Sequence, residues 1–208
     1  MSARSRFFLL FTTVLMLVSA AFGQPTIVNF DFGAVRILCA GNYAYQGLTM
    51  GGCTYTRVWP FQSFNSTPGF GWTLTGLPTM MGGSGLTGPN TSFVPPPFDG
   101  LPFTQAVALQ GPSFVWQTIP GFTAGSYTLS FYLGSRFIDC CGYDGNQTVQ
   151  AVIDDNVIGT WALSSFTPFT LQTVRFTVST GGSHTLTFRG INSGDHTAFL
   201  SYVVITPD

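Results

Sequence analysis

Lysine and glutamate are both absent from this 208-residue chain, so its charge rests on seven arginines and eight aspartates. Two common helix formers are therefore missing, while Gly, Phe and Pro number 25, 21 and 13. That balance argues against helices and for strands joined by turns. Charged residues make up only 7% of the chain, which gives no field to attract nucleic acid or an anionic membrane. Without glutamate, paired-carboxylate chemistry would fall to aspartates alone. Asp139 and Asp144 share one loop, and Asp154-Asp155 form a turn, where aspartate is common because it bonds the nearby backbone. Ser113, His184 and Asp195 could be recited as a triad, but nothing in the chain resembles a nucleophile elbow. Neither His184 nor His196 has metal-ligand spacing to the cysteines, so a zinc site is not expected.

Long apolar runs are also scarce. Residues 7–18 form one of twelve residues, short of the roughly 20 a membrane-spanning helix needs. Arg4 and Arg6 precede it, and Ala21-Phe22-Gly23 follow. This is the pattern of a secretory signal over residues 1–23, leaving 208 − 23 = 185 residues (24–208) as one exported domain without a membrane span. Removing Arg4 and Arg6 leaves five arginines against eight aspartates, a net charge of −3. Polarity then comes mainly from hydroxyls and amides, which suit neutral hydroxylated ligands. Adaptation to a protease-rich or acidic medium explains the same composition equally well.

Four cysteines in an exported chain imply disulfides. Cys39, Cys53, Cys140 and Cys141 allow three pairings. A bridge between the neighbours Cys140 and Cys141 poorly meets disulfide geometry, which favours stapling the Cys39/Cys53 loop to the Cys140/Cys141 loop. Cys39–Cys53 with a vicinal bridge is the alternative.

From residue 105 onward the chain alternates with period two. Tyr127, Leu129, Phe131 and Leu133 interleave with Thr128, Ser130 and Tyr132; Val174, Phe176 and Val178 interleave with Arg175 and Thr177. Each such segment is a strand with one face in a core. Strands are expected over residues 26–32, 71–75, 105–109, 113–119, 126–134, 147–153, 156–161, 170–178, 183–189 and 197–205. Ile27 and Phe30 are expected core contributors in the first. Asp154-Asp155 and Thr180-Gly181-Gly182-Ser183 read as hairpin turns. Residues 33–60 read as a long connection. Residues 76–102, with Pro95-Pro96-Pro97, read as a Gly/Pro-rich loop with no interior strand. About ten antiparallel strands at this spacing give an all-β jelly-roll sandwich.

Asn29-Phe30-Asp31-Phe32, Gly71-Trp72, Ala106 to Gly111, Val115 to Ile119, Ala124 to Phe131, Arg136, Gln147-Thr148-Val149, Val152-Ile153-Asp154, His184 to Phe188 and Asp195 to Leu200 follow one another in order. In that order they resemble the galactose-binding-domain-like β-sandwiches of exported proteins. They are most similar to the plant cell-wall proteins built on a domain of formerly unknown function and to their bacterial relatives. The resemblance implies a jelly roll and, for many members, binding to polysaccharide or cell-wall components; it implies no catalysis. Many relatives carry an acidic pair in the last strand that helps hold a structural calcium, whereas the matching positions here are Ser201-Tyr202. Asp31 and Asp195 remain as oxygen ligands, but calcium is not favoured and no cofactor is expected.

Sugar binding needs a flat aromatic for stacking and planar polar groups for hydroxyls. Trp59, Tyr43 and Tyr55 in the first long loop are the stacking candidates, and Arg136 offers a rigid fork of donors beside Tyr143, Asp144 and Asn146. The cross-loop staples would bring these groups onto one rim. Arg136 could equally be a buried arginine satisfied by backbone carbonyls and an aspartate. Trp72, Trp116 and Trp161 lie within strands and are expected in the core. Asn65, Asn90 and Asn146 start N-glycosylation acceptor patterns, from which no function follows. The sequence therefore reads as a secreted, monomeric, non-catalytic carbohydrate- or cell-wall-binding protein. A surface or matrix protein that binds other proteins is the alternative.

Overall fold

The computed structural model describes residues 24–34, 43–45, 48–49, 68–74, 83–91, 93–140 and 142–208. Among the described residues thirteen strands occur in chain order: β1 (Tyr43–Tyr45), β2 (Leu48–Thr49), β3 (Thr73–Leu74), β4 (Gly83–Thr87), β5 (Ala106–Gln110), β6 (Phe114–Phe122), β7 (Gly125–Ser135), β8 (Tyr143–Asp144), β9 (Thr148–Ile153), β10 (Asn156–Ala162), β11 (Thr170–Val178), β12 (Gly182–Gly190) and β13 (Asp195–Pro207). They form an eight-stranded sheet, ordered β11-β7-β13-β5-β4-β1-β2 with β8 beside β13, and a five-stranded sheet, ordered β10-β9-β12-β6-β3. Apart from the short parallel pair β8–β13, the pairings are antiparallel. The all-β sandwich is as expected. No helix among the described residues is long and apolar enough to cross a membrane.

Period-two alternation becomes one core between the sheets. Leu129, Phe131 and Leu133 from β7 meet Val149 and Ala151 from β9, Leu186 and Phe188 from β12, and Trp72 and Leu74 at β3. Phe131 lies at the centre, its ring 4.8 Å from that of Phe188 and 4.9 Å from that of Trp161. The chain repeatedly changes sheet at tight corners. At the β6–β7 corner, the Tyr127 hydroxyl donates to the Thr123 carbonyl and accepts from the Thr123 amide, each at 2.9 Å. Asp154 and Asp155 both have positive φ, 44° and 70°, and close the β9–β10 hairpin as expected. The Thr180–Ser183 signal is not a hairpin: β11 belongs to the large sheet and β12 to the small one, so these residues carry the chain between layers.

Residues 26–32 do not form the expected strand: 26–27 are irregular and 28–34 form turns. Asn29 takes a left-handed φ of 54°. Its side-chain oxygen accepts from the Ala34 amide at 2.8 Å and its nitrogen donates to the Phe70 carbonyl at 3.1 Å. The Asp31 carboxylate accepts from the Gly33 amide at 3.0 Å. These local bonds offer the backbone an alternative to a ladder. The turn exposes Phe30 and buries Phe32 instead, while Ile27 is buried as expected.

The larger departure is in residues 76–102. Gly83–Thr87 is a wholly buried strand, β4, between β5 and β1. Residues 93–103 then fold back over the outer face of the large sheet. Phe93 and Phe103 pack there with Phe169, Ala106, Ala108 and Phe199, flanked by Phe98, Leu101, Tyr132 and Tyr202. This second core explains why Ala106 to Leu109 and Ala198 to Ser201 are buried without interruption: neighbouring residues point into different cores. A Cβ at Gly134 would stand 2.9 Å from Pro96 Cγ and 3.1 Å from the Phe169 nitrogen, so glycine there lets the cap lie close. Trp72 is in the main core and Trp161 packs against it. Trp116 instead lies half-exposed on the outer face of β6, its ring 5.5 Å from that of exposed Phe114.

Candidate functional site

Three loops converge at one end of the sandwich: residues 136–147, 163–169 and 191–194. Cys140 and Tyr143 exchange backbone hydrogen bonds at 3.1 and 2.8 Å. This turn places Tyr143-Asp144 as β8 alongside Asp195-His196 at the start of β13. The Gln147 side chain, fully buried, joins the loops. Its oxygen accepts from the amides of Thr148, Ile191 and Asn192 at 3.0, 3.2 and 2.9 Å, and its nitrogen donates to the carbonyls of Gly111 and His196, both at 3.0 Å. Asn192 donates to the Asn146 carbonyl at 2.7 Å, and the Asn146 side-chain oxygen accepts from the Ser165 amide at 3.2 Å. A buried amide with every position filled fixes the loops that it joins.

Arg136 is not the rim donor considered above. Only 4% exposed, it donates from Nε to the Phe93 carbonyl at 3.1 Å and from Nη1 to Asp195 at 2.7 Å. Asp195 also accepts from the Gln110 amide. The guanidinium is therefore a buried structural group, the alternative left open by the sequence, and it ties the cap to β13. Its carbon lies 5.6 Å from the Phe93 ring centre and 6.0 Å from that of Tyr143.

Tyr143 is 50% exposed, so its ring covers the guanidinium on one side and faces solvent on the other. Phe166 is 54% exposed and is held by its amide, which donates to the Arg136 carbonyl at 2.9 Å. Its φ of 66° is strained for a bulky residue, at a cost of about 1–3 kcal/mol. Phe137 supports it at 5.9 Å. Asp144 bonds to His196 Nδ1 and accepts from the Asn146 amide and side chain, both at 2.9 Å. Burial pulls the Asp144 carboxyl upward, but its bonds from His196 and Asn146 outweigh this and hold it below 3.8.

Of the sequence-selected residues, Tyr143, Asp144, Asn146 and Arg136 come together here. Tyr43 contributes the backbone of β1, paired with Thr87. Tyr55 and Trp59 lie outside the described residues, as do Cys39, Cys53 and Cys141. Phe166, Asn192 and His196 were not anticipated. They reach the rim from remote segments, and only the left-handed strain at Phe166 marks any of them locally.

The recited triad does not assemble. His184 bonds to Asp154 and to the Thr180 carbonyl, while Asp195 is held by Arg136. Ser113 accepts from Gly190, six residues along β12 from His184 and so about 20 Å away. Burial alone would lower the His184 pKa, but its bonds to Asp154 and Thr180 and the Asp154 charge raise it above 6.5. The Asp154 carboxyl is pushed upward by burial, yet the Thr185 amide and His184 hold it below 3.8. Among the described residues, no group of three His, Cys, Asp or Glu side chains could hold a metal ion. Asp31 and Asp195, named above for calcium, bond to Gly33 and to Arg136 and Gln110 respectively.

No family model and no curated protein matches the chain. Among solved structures, a cyclase from Fischerella sp. TAU, in complex with 4-(1H-indol-3-yl)butan-2-one, is similar at 15% identity, over 88% of this chain and 96% of that one, with TM-score 0.54. The CBM22-1–GH10 modules of Clostridium thermocellum endo-1,4-β-D-xylanase 10B, complexed with xylohexaose, match at 15% identity over 66% and 26%, with TM-score 0.46. A family 35 carbohydrate-binding module from the same organism matches at 12% identity over 66% and 89%, with TM-score 0.40. At these identities the likeness concerns the fold alone.

Proposed function

We propose that this protein is an exported, non-catalytic glycan-binding sandwich that holds its ligand at the loop rim. The observation that carries the reading is two half-exposed aromatics anchored on one residue: Tyr143, its ring 6.0 Å from the Arg136 guanidinium carbon, and Phe166, its amide bonded to the Arg136 carbonyl. Both are held in place by a buried polar network, and the side chains of Asn146, Asn192 and Asp144 lie beside them. Rigid aromatic faces beside oriented polar groups stack on the apolar face of a pyranose and bond its hydroxyls. A pull-down with neutral and acidic polysaccharides tests this. Tyr143→Ala and Phe166→Ala are expected to weaken binding about tenfold each, or 1.4 kcal/mol, with unfolding midpoints near that of the parent protein. Folded protein that binds no glycan would end the reading. Export is checked on the same secreted material: Cys39, Cys53, Cys140 and Cys141 are expected to be oxidised, and four free thiols by mass would contradict it.

One observation favours the alternative of a matrix protein that binds other proteins. Leu171, 55% exposed, lies in register with Tyr132, whose ring is 6.2 Å from Tyr202, itself 5.0 Å from exposed Phe30. An apolar row of this kind across an outer sheet face suits protein contact. Light scattering separates the readings: concentration-dependent assembly lost in Leu171→Asp favours the matrix protein, and a monomer at all concentrations removes it.

A further inference from the structure

The outer face of the five-stranded sheet carries a second aromatic surface with one charge. Two rows cross it in register. Trp116, Thr187, Val152 and Val157 form the first, and Phe114, Arg189, Gln150 and Thr160 the second. Phe114 is 43% exposed, and its ring lies 5.5 Å from that of half-exposed Trp116. Arg189 is the direct cross-strand neighbour of Phe114 on β6, while its guanidinium reaches Gln150 on β9, so charge and aromatic pair stand on one face on either side of β12.

The three arginines of the described residues differ in partners. Arg136 is paired with Asp195 at 2.7 Å and Arg175 with Asp208 at 3.5 Å. Arg189 bonds only to a neutral group, donating from Nε to the Gln150 side-chain oxygen at 2.8 Å. None of the residues in the two rows is acidic. In a chain where acids outnumber bases, a guanidinium held among neutral side chains lacks its complement. The Gln150 bond uses Nε and fixes the plane of the group, so the Nη1 and Nη2 donors remain as a fork. Such a fork matches a carboxylate with two parallel bonds. The face also runs into the rim, since Arg189 and Gly190 lead directly to Ile191, 45% exposed, and to Asn192.

We infer that this face is a second binding surface, specific for a uronic-acid residue of an acidic glycan. The Arg189 fork takes the sugar carboxylate, Phe114 and Trp116 take the ring, and Thr187 and Gln150 lie within reach of its hydroxyls. The inference rests on the glycan reading above but concerns different residues and a charged ligand.

The test compares an oligogalacturonate with its methyl ester, titrated into the full secreted protein and followed by calorimetry. Arg189→Gln is expected to weaken the acidic oligomer about tenfold and to leave the ester unchanged. Arg189→Lys keeps the charge without the fork and should fall between parent and Arg189→Gln. Added salt should weaken the acidic oligomer alone. Tyr143→Ala, at the rim, should weaken both oligomers. Two outcomes overturn the inference while leaving the rim intact: Arg189→Gln without effect on the acid where Tyr143→Ala weakens it, or Arg189→Gln weakening acid and ester alike. Absence of binding to either oligomer, with both variants and parent folded by circular dichroism, overturns this inference and, with neutral polysaccharides also silent, the rim reading too.

Discussion

The large sheet has a core on each side, and the two are built differently. Between the sheets, strand residues of alternating polarity interdigitate: Leu129, Phe131, Leu186 and Phe188 come from long strands, β7 and β12, each paired with a neighbour on both sides. On the outer face, Phe93, Phe98 and Phe103 come from a proline-rich strap with little regular structure, packed against Phe169 and Phe199. The inner core is held by hydrogen-bonded neighbours, whereas the outer one depends on the strap staying in place through side chains and a few bonds, such as the Phe137 amide to the Val94 carbonyl at 2.8 Å. Burial alone therefore does not rank the two, because aromatic residues on both sides are nearly inaccessible.

Matched truncations test this contrast. Phe131→Ala, fully buried between the sheets, is expected to cost about 4–5 kcal/mol in denaturant unfolding. Phe103→Ala, 3% exposed beneath the strap, should cost less, about 3 kcal/mol, because a strap can settle into the gap more easily than a ladder. Hydrogen exchange should also separate them. Phe103→Ala raises exchange in residues 93–103 while β6, β9 and β12 stay protected, whereas Phe131→Ala raises exchange throughout. Equal costs and equal exchange patterns would mean that the two cores unfold as one unit.

The smallest expected effect is one of pH, and it acts on the five-stranded sheet. His184 in β12 is bonded to Asp154 in the β9–β10 turn, and its folded pKa lies above 6.5. A group raised on folding contributes stability that is complete below 6.5 and is lost as pH rises through the raised value. Asp154 and Asp144 are depressed, so their contributions hold above 3.8 and are lost as pH falls below it. Thermal midpoints should thus decline on the alkaline side, and His184→Gln should flatten that decline. An unchanged alkaline slope in the variant would remove His184 as its source.

What could be read from the chain follows the same division. Residues 170–178 form a strand with the expected ends because Leu171, Thr173, Arg175 and Thr177 alternate with Val174, Phe176 and Val178 without a glycine or proline. β4 escaped notice because Gly83-Ser84-Gly85 shows neither alternation nor branching, although small side chains suit a strand covered on both faces. The strap hid its core role because prolines mark a loop regardless of what the phenylalanines between them touch. At the rim, Tyr143, Asp144 and Asn146 were legible as one exposed cluster. Their partners His196 and Asn192 were not, because the parallel pairing of β8 with β13 is long-range and leaves no local pattern. Arg136 illustrates a different limit: sequence showed the charge beside aromatics, and only its bonds to Phe93 and Asp195 show it is already engaged.

The position of β13 carries a consequence for how the chain reaches this state. It is the last of the described strands in chain order, yet it lies between β7 and β5 and joins the two halves of the large sheet. Phe199 pairs with Ala108, a separation of 199 − 108 = 91 residues. Until that segment arrives, neither core has its floor, and the earlier strands have only partial sheets to join. Contacts so distant along the chain make folding slow. A polypeptide still emerging from a ribosome would stay open until β13 had been made. Under the export proposed above, that delay would favour passage through a membrane over premature closure.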